Sequence, residues 1–208
     1  MNRLFEPRIQ AATRERYALS PAITAWLVVA LWVPYVLLNT LFPGPVVSYT
    51  LGLLLAVIAL GVLWLAGETP WTLYLRLALP SRAGLLILLL MLAFIPCALL
   101  VGRGQPFNAV DDLIYAPLSA LGQELYFRAA LLVALARILA VRPRLVVPAQ
   151  AALFALWHAR AFLVVAPLPA LGALLLTCVA GLLWGAQASR DRTVLWAVAQ
   201  HTLFLAVQ

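Results

Sequence analysis

The chain has 208 residues, 65% of them hydrophobic and 10% charged, with a formal net charge of +7. A soluble domain of this length is about half apolar and about a quarter charged, so this composition excludes a water-soluble surface and defines an integral membrane protein. All 14 basic residues are arginines. They fall between apolar segments rather than in a patch, which fits membrane orientation and argues against a nucleic-acid partner.

In chain order, the first stretch, MNRLFEPRIQAATRERYALSP, is polar and arginine-rich and has no apolar core of a cleavable signal. The first apolar segment is therefore expected to act as an uncleaved anchor. A helix needs about 20 apolar residues to cross a bilayer. About seven such runs follow, near 22–42, 48–67, 83–101, 112–140, 145–162, 168–188 and 193–207. The stretch PWTLYLRLALPSR at 70–82 is too short and too polar to cross. It reads as an interfacial helix or loop with Trp71 and Tyr74 at headgroup level. Prolines 34, 96, 117, 148 and 167 are expected at kinks or helix ends. Lipid offers backbone groups no partner, so the fold class is all-α: a single polytopic helix bundle over 1–208.

Charge placement checks the count. Arg3, Arg8, Arg14 and Arg16 precede the first run, and the next loop has no arginine. Arg76 and Arg82 follow, then Arg103 with Asp111 and Asp112, then Arg137, Arg142 and Arg144, then Arg160 alone, then Arg190 and Arg192. Rich and poor loops alternate through every crossing, which places the N-terminus in the cytoplasm and the C-terminus outside. Asp111 and Asp112 read as helix N-terminal charges. Gly181 and Gly185 form a GxxxG pair suited to close helix packing within the chain. Tryptophans 26, 64, 71, 184 and 196 read as interfacial or packing residues. Cys97 and Cys178 lie inside separate apolar runs and form neither a disulfide framework nor a metal-spaced motif.

Glu124 and Arg128 are different, because they sit within a span, where each costs about 2.5–3.5 kcal/mol on insertion scales. Four residues apart, they share one helix face with the acid N-terminal to the base. One reading is a self-satisfied ion pair that locks packing. The two histidines of the chain, His158 and His201, also lie within spans, in ALFALWHA and AVAQHTLFL. A carboxylate and two imidazoles on three helices at overlapping depths could polarise a water, hold zinc as a His2Glu site, or relay protons.

These three segments resemble the CPBP family, also called Abi, of CAAX prenyl proteases and bacteriocin-processing membrane proteases. The family pattern is EExxxR, then FxxxH, then HxxxN on successive helices. Here it reads Gln123-Glu124-Leu-Tyr-Phe-Arg128, Phe154-Ala-Leu-Trp-His158, and His201 through Leu205. The lead-in GLLWGAQASRDRTVLWAVAQH is also similar to the family's glycine-paired helix, basic turn and tryptophan-bearing helix. The resemblance covers residues 112–208. It implies an intramembrane glutamic-type endopeptidase acting on a peptide or protein near the membrane. Glu124 and His158 would activate water and His201 would donate to the oxyanion, with Gln123, Arg128 and Phe154 in support. It implies no required metal, zinc being the alternative.

Two positions depart from the pattern. Gln123 stands at the first-glutamate position and has no useful basicity. Leu205 stands at the asparagine position and has no donor. A catalytically silent scaffold or regulator, or a proton-coupled transporter, is therefore the alternative function. The expected partners are a peptide or protein substrate and the lipid bilayer, without nucleic acid. The expected location is a membrane, with the arginine-only composition leaning towards a bacterial cytoplasmic membrane.

Overall fold

The structure, a computed structural model, describes residues 20–42, 45–101 and 108–206, with the backbone alone described at 45–48 and 94–101. Arg3, Arg8, Arg14, Arg16 and Arg103 lie outside the described residues, as do the side chains of Pro96 and Cys97. Among the described residues seven helical segments follow one another: α1 (Pro21–Leu41), α2 (Pro45–Leu65), α3 (Arg82–Val101), α4 (Asp111–Ile138), α5 (Pro143–Val164), α6 (Pro167–Asp191) and α7 (Leu195–Ala206). Among the described residues α1, α4, α5 and α6 are long and apolar enough to cross a membrane. α7 has 12 residues, about 18 Å at 1.5 Å per residue. It is shorter than a full crossing and is held as part of the bundle.

The prolines shape the helices locally. Pro34 has no N–H to give the carbonyl of Ala30, and α1 is interrupted at Leu31 between Pro21–Ala30 and Trp32–Leu41. Before Pro117 the first turn of α4 is wound as a π-helix, Asp111–Tyr115. Pro143 and Pro148 fall in the opening turns of α5, and Pro167 opens α6. At the α4 start Asn108 Oδ1 accepts from the Val110 and Asp111 N–H groups, and Asp111 and Asp112 hold Asn108, accepting from its side-chain amide at 2.6 Å and its backbone N–H at 2.9 Å respectively.

α4 is the central helix. Its most apolar window is 78% buried, against a third or less for α1, α5 and α6, and α1, α2, α5, α6 and α7 all touch it. Gln123, Glu124 and Arg128 of α4 are thus in the protein interior rather than against lipid. Close approach depends on small residues. A Cβ at Gly122 would stand 2.8 Å from the Leu53 backbone nitrogen, so α4 rests directly on the α2 backbone. Gly181 and Gly185 both face α5 of the same chain. A Cβ at the first would meet Ala151 Cα at 3.0 Å, and at the second Gln150 Oε1 at 2.6 Å.

The 70–82 segment is a turn and loop rather than a helix, and it is docked rather than floating. Arg76 donates to the backbone carbonyls of Asp191 and Arg192, both at 3.0 Å. Thr193 Oγ1 donates to Arg76 O, Trp196 Nε1 to Ala78 O, and the Ser81 N–H to Asp191 Oδ1. Tyr74, expected at headgroup level, is buried. Its carbonyl accepts from the Val194 N–H and its ring lies under the Arg192 guanidinium, so the α6–α7 turn covers it. Trp71 is exposed. At the same end of the bundle, Arg137 pairs with Glu68 and donates to Thr24 Oγ1, tying the end of α4 to the start of α1 and the end of α2.

Candidate active site

The site is built outward from α4. Gln123 and Glu124 close its α-helical stretch Ala116–Glu124, and Arg128 falls in the π-helical stretch Leu125–Leu131. Such wide turns are uncommon and recur at functional sites. Glu124 and Arg128 are fully buried. Arg128 Nη1 lies 3.0 Å from Glu124 Oε1. The contact is an ion pair off the N–H axis, not an aligned hydrogen bond. The guanidinium instead spreads over aromatic faces, 4.0 Å from the Phe154 centroid and 5.3 Å from that of Trp184. In a dry interior those rings supply part of the stabilisation that water would otherwise give the cation.

α7 brings His201 to the same carboxylate oxygen, with Nδ1 2.7 Å from Glu124 Oε1. A carboxylate accepts, so Nδ1 carries the proton and donates. Trp184 of α6 stacks on the imidazole at 4.7 Å and 26°. Trp184 is fixed in turn by buried glutamines. Its Nε1–H donates to Gln200 Oε1 at 3.3 Å, Gln200 Nε2 to Gln187 Oε1 at 2.7 Å, and Gln187 Nε2 to the Gly84 carbonyl at 2.9 Å. Sequence reasoning missed this chain, although the amides at 187 and 200 inside apolar spans were a visible signal.

His158 is reached differently. The α-helical part of α5 ends at Trp157 and tightens into a 3-10 turn at His158. Its Nδ1 lies 2.9 Å from the Phe154 carbonyl. A carbonyl accepts only, so Nδ1 is again the donor and the neutral ring keeps its lone pair at Nε2. Phe154 separates the two histidines, edge-on to both, at 4.8 Å from His158 and 5.9 Å from His201.

Both imidazoles line one cavity of about 210 Å³ between α3, α5, α6 and α7, together with Met91, Phe154, Thr177, Trp184 and Leu205. Gln123, Glu124 and Arg128 are not in its wall. The structure therefore joins Glu124, Arg128, Phe154 and His201 by contact. It brings in His158 through the shared cavity and sets Glu124 behind His201. Gln123 is buried, with its amide donating to Ser119 Oγ at 3.0 Å. Leu205 adds only apolar surface. Among the described residues no three His, Cys, Asp or Glu side chains are grouped to hold a metal ion.

Residues 105–207 match the family described as type II CAAX prenyl endopeptidase Rce1-like. No curated protein and no solved structure matches the chain. The match spans α4 to α7 and contains Glu124, Arg128, His158 and His201. With its helical membrane bundle, the chain belongs to the Rce1-like group of the CPBP family, the CAAX-type intramembrane proteases.

Proposed function

We propose that this chain is an intramembrane endopeptidase in which His158 takes the proton from the attacking water and His201 donates to the developing oxyanion. The observation that supports it most is that two imidazoles face one apolar cavity with different partners on Nδ1. A backbone carbonyl on His158 suits a neutral ring with a basic Nε2. The Glu124 carboxylate on His201 suits an imidazolium whose Nε2–H can donate. Glu124 then acts behind His201 as a positioning residue, and Arg128 compensates its charge whichever state His201 adopts. This reading keeps His158 and His201 in the roles the family pattern implies and moves Glu124 from the water to its support.

The substrate that fits is a peptide or protein segment with apolar side chains, because the wall beyond the two histidines is almost wholly apolar. In this reading the chain works slowly. Leu205 offers no donor, and a missing oxyanion donor costs about 10²–10³ in rate. Thr177 does not replace it, as its hydroxyl lies 2.9 Å from the Ala173 carbonyl and is bound to its own helix. The same Leu205 favours the second reading, a catalytically silent scaffold. The deciding experiment is peptide cleavage by the purified chain in lipid nanodiscs. Cleavage lost in both His158→Gln and His201→Gln supports the protease. Equal low cleavage in wild type and both variants supports the scaffold.

A further inference from the structure

Glu124 has a second oxygen that the site does not use. Oε1 meets both Arg128 and His201, whereas Oε2 is buried with no hydrogen-bond partner among the described residues. Gln123 Oε1, on the adjacent residue, is in the same condition. A third orphan is the hydroxyl of Tyr35, from α1 and outside the family-matching half. In a membrane interior no solvent relieves such groups, and each one left unpaired costs about 1–3 kcal/mol.

Tyr35 is not loosely placed. It is fully buried, edge-on to Tyr126 at 5.3 Å, stacked on Phe127 at 6.1 Å and tilted against Trp157 at 5.2 Å. This cage aims its hydroxyl at Gly52, where an added Cβ would stand 2.7 Å from the oxygen. Gly52 is also where α4 touches α2, since a Cβ at Gly122 would stand 2.9 Å from the Gly52 carbonyl carbon. The hydroxyl thus reaches the helix crossing one residue along α4 from Gln123 and two from Glu124.

We infer that Tyr35 Oη, Glu124 Oε2 and Gln123 Oε1 bind one buried water, which makes Tyr35 a positioning residue for Glu124. A buried water takes two to four polar partners, and these groups supply a hydroxyl and two acceptors. The water donates to Glu124 Oε2 and Gln123 Oε1 and accepts from the Tyr35 hydroxyl. The carboxylate is then fixed from both sides, by Arg128 and His201 on Oε1 and by the water on Oε2. The glycine at 52 leaves room for the hydroxyl. The effect on catalysis rests on the proposed role of Glu124, whereas the water site does not.

The test reads the carboxylate directly. Infrared spectra of the full chain in nanodiscs, with ¹³C-glutamate labelling, locate the Glu124 carboxylate stretch as the band missing in Glu124→Gln. Tyr35→Phe keeps the ring and removes the hydroxyl, and should shift that band. It should also lower kcat for peptide cleavage by up to roughly tenfold, the scale of one buried hydrogen bond, with KM unchanged. Tyr126→Phe is the control, because its hydroxyl donates to the Val28 carbonyl instead; it should leave the band in place. Gly52→Ala, which crowds the hydroxyl without altering the ring, should shift the band as Tyr35→Phe does. An unmoved band in both Tyr35→Phe and Gly52→Ala, or an equal shift in Tyr126→Phe, overturns the inference. A band shift with no measurable cleavage in wild type retains the water site and rejects the protease.

Discussion

His201 Nδ1 stands 2.7 Å from Glu124 Oε1 across 77 residues of sequence. The contact joins the last helix to the central one and uses the same oxygen that Arg128 approaches at 3.0 Å. One carboxylate therefore serves as an ion-pair partner on its own helix and as the anchor of an imidazole on another.

These two duties are separable. Removing one member of a buried pair strands the other and typically costs about 3–5 kcal/mol, whereas replacing both by apolar groups of similar volume is often neutral. Glu124→Gln should lower the thermal unfolding midpoint markedly. Adding Arg128→Met to it should restore much of the midpoint and none of the peptide cleavage. A double variant that cleaves like wild type would reduce the pair to a packing device.

His158 should behave in the opposite way. Its ring rests on Phe154 and Trp157, at 4.8 and 4.7 Å between centroids, and its hydrogen bond to the Phe154 carbonyl stays within its own helix. His158→Gln should leave the unfolding midpoint nearly unchanged while lowering cleavage about 10²–10⁴-fold, the range of a lost general base. Calorimetry or light-scattering melts beside a cleavage assay read both. A large midpoint loss with intact turnover per folded molecule would remove His158 from the chemistry.

Much of this was legible in the sequence, for identifiable reasons. The helix ranges follow from apolar runs of bilayer length, and they agree with the structure to within a few residues at most ends. Glu124, Arg128, His158 and His201 were visible because charge and imidazole are rare in such spans. The π-helical stretch Leu125–Leu131 was not, since a wide turn is set by how neighbouring helices fit and leaves no composition signal. Tyr35 was also hidden, because a lone tyrosine in an apolar run looks like an interfacial anchor until its aromatic cage is seen. The burial of Tyr74 was hidden for the related reason that a loop's own composition does not reveal the α6–α7 turn that covers it. The position of Glu124 behind His201 depends on side-chain depth, which helix periodicity does not resolve.

The α5–α6 contact gives a prediction independent of chemistry. A Cβ at Gly181 would meet Ala151 Cα at 3.0 Å and Phe154 Cδ1 at 3.2 Å, whereas one at Gly172 would meet nothing within 4 Å. Gly181→Leu should destabilise by about 1–3 kcal/mol, as overpacking does, and should disturb cleavage through Phe154. Gly172→Ala should be neutral or stabilise by up to about 1 kcal/mol, the helix-propensity difference. Equal unfolding midpoints for the two variants would mean that α5 and α6 do not meet at Gly181.

The proposed chemistry requires no metal. The Arg128 cation beside Glu124 opposes a dication there. Elemental analysis of the purified chain should give well under one zinc per molecule, and chelators should leave cleavage unchanged. Stoichiometric zinc, with activity lost on chelation and recovered on adding zinc back, would instead establish a His2Glu metalloprotease.

Gln123 is the sharpest test, because it stands where the family carries its first glutamate. Its amide donates to Ser119 Oγ at 3.0 Å, and its carbonyl oxygen is unpartnered among the described residues. Gln123→Glu keeps the size and can accept from the Ser119 hydroxyl, so the fold should survive. The new carboxylate would lie beside Glu124 in a buried cluster whose one neighbouring arginine is already shared. Two such groups do not both ionise readily, and at least one is pushed towards its protonated form. If His158 is the base and Glu124 the anchor of His201, this substitution adds nothing to the reaction and weakens the anchor. Cleavage near neutral pH should stay level or fall, and Glu124→Gln should abolish it. If the chain is instead a relative that lost its base at this position, wild type should show no cleavage above background and Gln123→Glu should create it. The pair of measurements, wild type against Gln123→Glu on the same peptide, separates the two because they predict opposite signs for one substitution.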